Sequence, residues 1–133
     1  ECMNDKKEII NHAGGKKRIL FYTSISGIMQ NQNESVEKIE RVLELFKQYS
    51  DKIELTWCIQ ELINTVLPDI NAELYDCINV IRNNYMVEKI GYMCSDKDKG
   101  ILDSCDAYYG DTSSIVQRYR NDGKPVMIMD YMV

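Results

Sequence analysis

The chain has 133 residues, enough for one domain with a sizeable core, and its hydrophobic content of 44% is that of an ordinary globule. Its formal net charge of −5 argues against a nucleic-acid-binding surface, and no apolar run approaches the roughly 18 residues that a membrane span needs. The five cysteines form no CxxC pair, and the single histidine, His12, lies in a polar stretch. We therefore expect reduced core thiols in a cytoplasmic protein, with no metal site, no cofactor and no cysteine catalysis.

Residues 1–17 are polar and charged, with Gly14 and Gly15 as a flexible break. They predict a leader or linker that precedes one domain spanning residues 18–133. This leader lacks the apolar core segment of a signal peptide, and the chain does not begin with Met. We expect the chain to be a fragment of a longer protein.

Strands and helices are predicted to alternate along the rest of the chain. Apolar and aromatic runs predict strands over residues 18–23, 53–59, 87–93, 107–109 and 125–129. Helical periodicity predicts helices over residues 35–49, 72–85, 97–105 and 112–121, and one or two helical turns over 60–66 that stop at Pro68. A polar loop containing Asn31, Gln32 and Asn33 is predicted to follow Gly27. This alternation predicts an α/β, Rossmann-like parallel sheet with helices on both faces.

Two hydroxyl-rich corners follow the first and the fourth predicted strands: Thr23-Ser24-Ile25-Ser26-Gly27 and Asp111-Thr112-Ser113-Ser114. The carboxyl ends of parallel strands meet at one edge of a sheet, where ligands gather. At the second corner a helix N-terminus presents unpaired N–H groups and a partial positive charge, to which three hydroxyls could add donors. The second corner therefore suits a phosphate, although the same residue types are also ordinary helix N-caps.

Nucleotide motifs narrow the choice of ligand. The first corner has neither the GxGxxG spacing nor a GKS or GKT sequence, which disfavours NAD-type and P-loop binding. Flavodoxin-like proteins use a hydroxyl-and-glycine phosphate loop after the first strand, so an FMN-binding domain stays an alternative. The predicted loop that continues through residues 30–33 counts against it.

Four segments together resemble the C-terminal half of a GT-B-type transferase: Ile19-Leu20-Phe21-Tyr22-Thr23-Ser24, Leu55-Thr56-Trp57, Asp106-Ala107-Tyr108-Tyr109-Gly110-Asp111-Thr112-Ser113-Ser114 and Gly123-Lys124-Pro125-Val126-Met127-Ile128. Within that class, the sequence resembles the CDP-glycerol glycerophosphotransferase-like enzymes of the bacterial cell envelope, which carry Asp-x-Ser-Ser followed by Lys-Pro-Val and an apolar strand. The resemblance covers most of residues 17–130.

This resemblance implies the donor-binding half of an enzyme that transfers a glycerophosphoryl or glycosyl unit from CDP-glycerol or a nucleotide sugar to an envelope polymer or glycan. The acceptor site and the general base would come from the N-terminal half of the same parent protein, in the cytoplasm or at the inner face of the membrane. The fragment alone would be inactive. The residues implied to hold the pyrophosphate are Asp111, Thr112, Ser113 and Ser114, and those implied to face the cleft are Thr23, Ser24, Ser26 and Gly27.

One departure from the family pattern follows the second strand. Relatives commonly carry an Arg-Pro-His-Pro-like segment there, whereas this chain has Cys58-Ile59-Gln60-Glu61. The groups that would offset charge on a leaving phosphate are thus missing. The competing hypothesis is a non-catalytic module kept for folding or for docking its partner domain, and nucleotide binding separates the two.

Overall fold

The computed structural model describes residues 16–129, which form one five-stranded, all-parallel sheet. Its strands are β1 (Lys17–Thr23), β2 (Ile53–Ile59), β3 (Tyr92–Ser95), β4 (Ala107–Gly110) and β5 (Val126–Ile128). The helices are α1 (Ile25–Asn31), α2 (Asn33–Gln48), α3 (Leu62–Thr65), α4 (Leu67–Ile70), α5 (Ala72–Val87), α6 (Lys99–Ser104) and α7 (Ser114–Asn121). The predicted α/β, Rossmann-like class is confirmed. Most of the predicted leader, with His12, lies outside the described residues.

The strand order across the sheet is β3-β2-β1-β4-β5. This is the order of the first strands of a Rossmann fold, whereas a flavodoxin-like sheet runs 2-1-3-4-5. The central strand β1 pairs with β2 through all seven of its residues and with β4 from Ile19 to Tyr22. The topology therefore counts against the flavodoxin-like alternative.

Successive side chains of a buried strand point to opposite faces of the sheet, so apolar side chains lie on both faces. Each face is therefore covered by its own helices. In β1, Phe21 joins a cluster with residues of α2 and α5, while Leu20 and Tyr22 join a second cluster. That second cluster includes Leu102 of α6 and Tyr119 of α7. Helices cover both faces, as predicted.

Residues 25–31, part of which was predicted to be a loop, form α1 instead. The Ser24 side chain caps this helix by accepting the Gly27 N–H, and Ile28 is fully buried beneath it. Gln32 then adopts φ 46°, which separates α1 from α2. The loop prediction was wrong because it followed the many polar residues of this segment. It overlooked the N-cap Ser24 and the apolar residue Ile28 four positions later, which together indicate a helix.

One further helix, one strand boundary and one cysteine differ from the predictions. The predicted helical turns end at Thr65, before Pro68, but a further helix, α4, follows that was not predicted. Pro68 lies in the first turn of α4, where an N–H has no intrahelical partner to lose. The third strand begins at Tyr92 rather than at residue 87, because α5 continues to Val87 and Lys89 turns the chain at φ 54°. Cys77 is exposed, so not every cysteine outside the leader is a core thiol.

Candidate functional site

A polar pocket of about 640 Å³ lies at the carboxyl edge of the sheet. The chain leaves β1 toward one face and β4 toward the other, and this reversal opens a crevice between the two strand ends. The corners after these strands, here named the β1 corner (residues 24–27) and the β4 corner (residues 111–114), both contribute to its wall. The pocket lining includes Ser24, Ser26, Gly27, Gln60, Asp96, Asp111, Thr112, Ser113 and Ser114.

The two corners are tied together by Asp111 and Ser24, both of which are buried. Asp111 Oδ2 accepts the Ser24 N–H at 2.9 Å and the Ser24 hydroxyl at 3.0 Å. The same hydroxyl accepts the Gly27 N–H at 3.0 Å. The Ser24 side chain is therefore committed to bonds within the protein, and its predicted part in facing the cleft is reduced to shaping it.

Glycine at positions 27 and 110 allows the two corners to approach each other closely. A Cβ at Gly27 would lie 2.4 Å from Asp111 Oδ2, and a Cβ at Gly110 would lie 2.2 Å from the Tyr22 carbonyl oxygen. Gly110 also adopts φ 141°, which L side chains rarely adopt. The Asp111–Ser24 tie thus depends on the absence of a side chain at both positions.

Burial raises the pKa of the Asp111 carboxyl above its ordinary value because the charged form loses solvation. The hydrogen bonds from the Ser24 N–H and hydroxyl favour the charged form and offset part of this rise. An acidic group held in this way places negative charge beside the predicted pyrophosphate position. It is better placed to position the β1 corner than to contact a phosphate directly.

The β4 corner leaves two hydroxyls free. Ser113 caps α7 by accepting the Ile115 N–H at 3.2 Å, and its Oγ lies 3.0 Å from the Tyr108 hydroxyl. Thr112 and Ser114 are exposed, and within residues 16–129 their side chains have no hydrogen-bond partner. These two hydroxyls line the pocket and are available to a ligand.

Thr23 was predicted to face the cleft, but it lies outside the pocket. Its side chain is fully buried, and its Oγ1 accepts the Trp57 indole N–H at 2.8 Å. Because strand residues alternate between faces, Thr23 points into the cluster beneath α2 and α5, while Ser24 begins the corner. The pocket therefore brings together every predicted site residue except Thr23.

Two pocket residues that were not predicted as ligand contacts follow β2 and β3. Gln60 Oε1 accepts the Ile25 N–H at 2.9 Å, and Asp96 Oδ1 accepts the Glu61 N–H at 2.9 Å. Both come just after the carboxyl end of a strand, where the parallel topology gathers side chains at one edge. That rule, applied to all strands rather than to two, would have indicated them.

Among residues 16–129, carboxylates line the pocket and basic side chains do not. Asp96 and Asp111 line it, and none of the described lining residues is Lys or Arg. Within the described part of the chain, no three His, Cys, Asp or Glu side chains cluster closely enough to hold a metal ion. The described residues therefore offer a ligand hydroxyl and amide groups together with the N-terminus of α7.

A second cavity, of about 430 Å³, lies over β4 and β5 beside α2. Its walls are almost wholly apolar and include Phe46, Val126 and Met127. The described part of the chain places no convergent polar groups in it, which a specific small-molecule site requires. The candidate site is therefore the polar pocket.

Among the helices of residues 16–129, none is both long enough and apolar enough to cross a bilayer. Comparison of the chain with models of known protein families, with curated proteins and with solved structures finds no match.

Proposed function

We propose that the chain is the donor-binding half of a GT-B-like transferase and binds a nucleotide-diphosphate donor, CDP-glycerol or a nucleotide sugar, in the polar pocket. The parent enzyme would transfer a glycerophosphoryl or glycosyl unit to a cell-envelope polymer or glycan. The observation that carries the proposal is a polar pocket at the point where the β1 and β4 connections diverge. The resemblance over Asp111–Ser114 and Gly123–Pro125 supports the choice of donor.

The β4 corner supplies the phosphate contacts in this proposal. The eight-residue helix α7 begins at Ser114, so its first N–H groups and its partial positive charge face the corner. The free hydroxyls of Thr112 and Ser114 add two neutral donors on the same side of the pocket. Neutral donors and a helix N-terminus are the groups that bind phosphate where lysine and arginine are absent.

The acidic lining of the pocket indicates which catalytic groups would have to come from another part of the protein. Asp96 and Asp111 give the lining an acidic balance, and the lining residues within 16–129 supply no cation to offset a leaving phosphate. The cationic groups and the general base are therefore assigned to the N-terminal half of the parent protein. This division agrees with an isolated half that binds the donor without turning it over.

The test is calorimetric titration of the chain with CDP-glycerol, CDP, UDP-sugars and FMN. We expect saturable binding of a CDP or UDP compound, weakened by about tenfold or more in a Thr112→Ala/Ser114→Ala variant, since each hydrogen bond to a charged group contributes about 1.5–3 kcal/mol. Ser113 is left intact because it caps α7.

Thr65→Ala is the matched control, because Thr65 is an exposed threonine on α3 that does not line the pocket. Its affinity should equal that of the wild type. Binding of FMN alone would favour the flavodoxin-like alternative despite the strand order. Absence of binding by every nucleotide, both in the chain and in the full-length parent, would favour the non-catalytic module.

A further inference from the structure

Gln60 is held in place from two directions. Its backbone N–H donates to the Thr23 carbonyl oxygen at 3.0 Å, and its side-chain Oε1 accepts the Ile25 N–H at 2.9 Å. Ile25 is the first residue of α1, so this amide oxygen satisfies an N–H that has no partner inside the helix. The side chain is therefore fixed between the end of β2 and the start of α1.

The orientation of the Gln60 amide follows from this bond. A backbone N–H can only donate, so the atom that faces Ile25 must be the oxygen, and the NH₂ group must occupy the other position. Within residues 16–129 the NH₂ group has no hydrogen-bond acceptor, and Gln60 lines the polar pocket. Two N–H donors are thus presented to the pocket by a side chain that is already oriented.

Three neighbouring polar side chains of the pocket, Asp96, Asn31 and Gln30, do not offer an equivalent donor. Asp96 can only accept while ionised, and its Oδ1 is bonded to the Glu61 N–H. The amide nitrogen of Asn31, another lining residue, donates to the Gly27 carbonyl oxygen at 2.9 Å. Gln30 lines the pocket but is exposed, and its side chain has no partner among the described residues to orient it.

We propose that Gln60 is a ligand-binding residue, whose NH₂ group donates a hydrogen bond to a phosphoryl oxygen of the nucleotide-diphosphate donor while its Oε1 holds the start of α1. The proposal rests on the proposed function and names a contact within the same pocket. It places a neutral donor after β2, on the other side of the central strand β1 from the β4 corner, so that the phosphate groups would be bound from both sides. Little side-chain entropy is lost on binding, because the amide is already fixed in the free protein.

Gln60→Glu tests this contact. The substitution retains an oxygen that can accept the Ile25 N–H, so the fold is preserved, but it replaces both amide donors by an anionic acceptor. We expect the affinity for CDP, measured by calorimetry, to fall by about 10- to 100-fold, the range that corresponds to loss of a hydrogen bond to a charged group. The thermal unfolding midpoint should stay at or above that of the wild type, because a carboxylate at a helix N-terminus is favourable.

Gln30→Glu is the matched control, since it makes the same change of charge at another glutamine of the same pocket. Its affinity for CDP should fall by less than that of Gln60→Glu. Equal losses in the two variants, or an unchanged affinity in Gln60→Glu, would overturn the contact while leaving the proposed function intact. If the wild-type chain and its full-length parent bind none of CDP, CDP-glycerol and the UDP-sugars, the proposed function fails and the contact with it.

Discussion

The β1 corner and the β4 corner look alike in sequence, since each places hydroxyl residues after a buried strand, yet the structure uses them differently. In the β1 corner, the Ser24 hydroxyl is bonded to Asp111 and to the Gly27 N–H. In the β4 corner, the hydroxyls of Thr112 and Ser114 have no partner among residues 16–129 and face the pocket. Ser24 and Asp111 thus form a structural joint between the corners. The β4 corner presents two unpaired hydroxyls to a ligand, whereas the β1 corner presents only the exposed Ser26, whose side chain also lacks a partner among residues 16–129.

This difference teaches that a hydroxyl-rich corner is informative about binding only after its internal hydrogen bonds are counted. A buried hydroxyl must find a partner, because leaving it unsatisfied costs about 1–3 kcal/mol. The β1 corner meets that requirement with protein groups, whereas the exposed groups of the β4 corner are satisfied by water until a ligand displaces it. Three sets of substitutions can break or sharpen this comparison.

The largest effect is expected for Asp111→Ala, which removes the acceptor shared by the buried Ser24 N–H and hydroxyl. The free energy of unfolding should fall by about 3 kcal/mol, since two buried donors lose their partner. Urea denaturation measures the change. Asp111→Asn keeps one oxygen that can accept both bonds, so its loss should stay below about 1 kcal/mol. Equal losses in the two variants would show that the charge, rather than the joint, is what matters.

A smaller loss is expected for Gly27→Ala. Alanine favours a helix over glycine by about 1 kcal/mol, but here its Cβ would lie 2.4 Å from the buried Asp111 Oδ2. We expect a net loss of about 1–3 kcal/mol in the free energy of unfolding, because the tie must shift to make room. Gly100→Ala in α6 is the control, since a Cβ there meets nothing within 4 Å. A stabilised Gly27→Ala would mean that the joint is not tightly packed.

The smallest effect is expected from a pair of threonines with opposite roles. Thr23→Val removes the acceptor of the buried Trp57 N–H and should lower the free energy of unfolding by about 1–2 kcal/mol without changing nucleotide affinity. Thr112→Val should change stability by no more than about 0.5 kcal/mol but weaken nucleotide binding. Thermal unfolding and calorimetry on both variants provide the measurements. A destabilised Thr112→Val with unchanged binding would contradict the role assigned to the β4 corner.

The sheet could be predicted from the sequence because its strands are short apolar runs flanked by polar turns. Residues 53–59, for example, were predicted exactly as β2 is observed. The third strand was predicted to start too early, because Val87 and Ile90 favour a strand when only the local sequence is considered. In the structure, Val87 completes the last turn of α5. Helix packing decides such a segment, and local composition does not contain that information.

The candidate site was only partly predictable. The parallel topology was enough to bring the β1 and β4 corners to one pocket. It could not reveal that Thr23 bonds to Trp57, or that Gln60 bonds to Ile25, because these partners lie 34 and 35 residues apart in the chain. Whether a hydroxyl or amide group is hydrogen-bonded within the protein depends on such distant partners. The unpaired donors of the pocket could therefore be identified only from the folded structure.

The tie between Ser24 and Asp111 also has a consequence for the order in which the chain folds. Its two residues are separated by 87 positions, and β4 pairs with the central strand β1 over a comparable distance. Contacts so distant in sequence form late, since the entropy of closing a long loop must be lost before they can stabilise the chain. During synthesis, β1, β2 and their helices can assemble first, and the pocket is completed only after the last third of the chain has emerged.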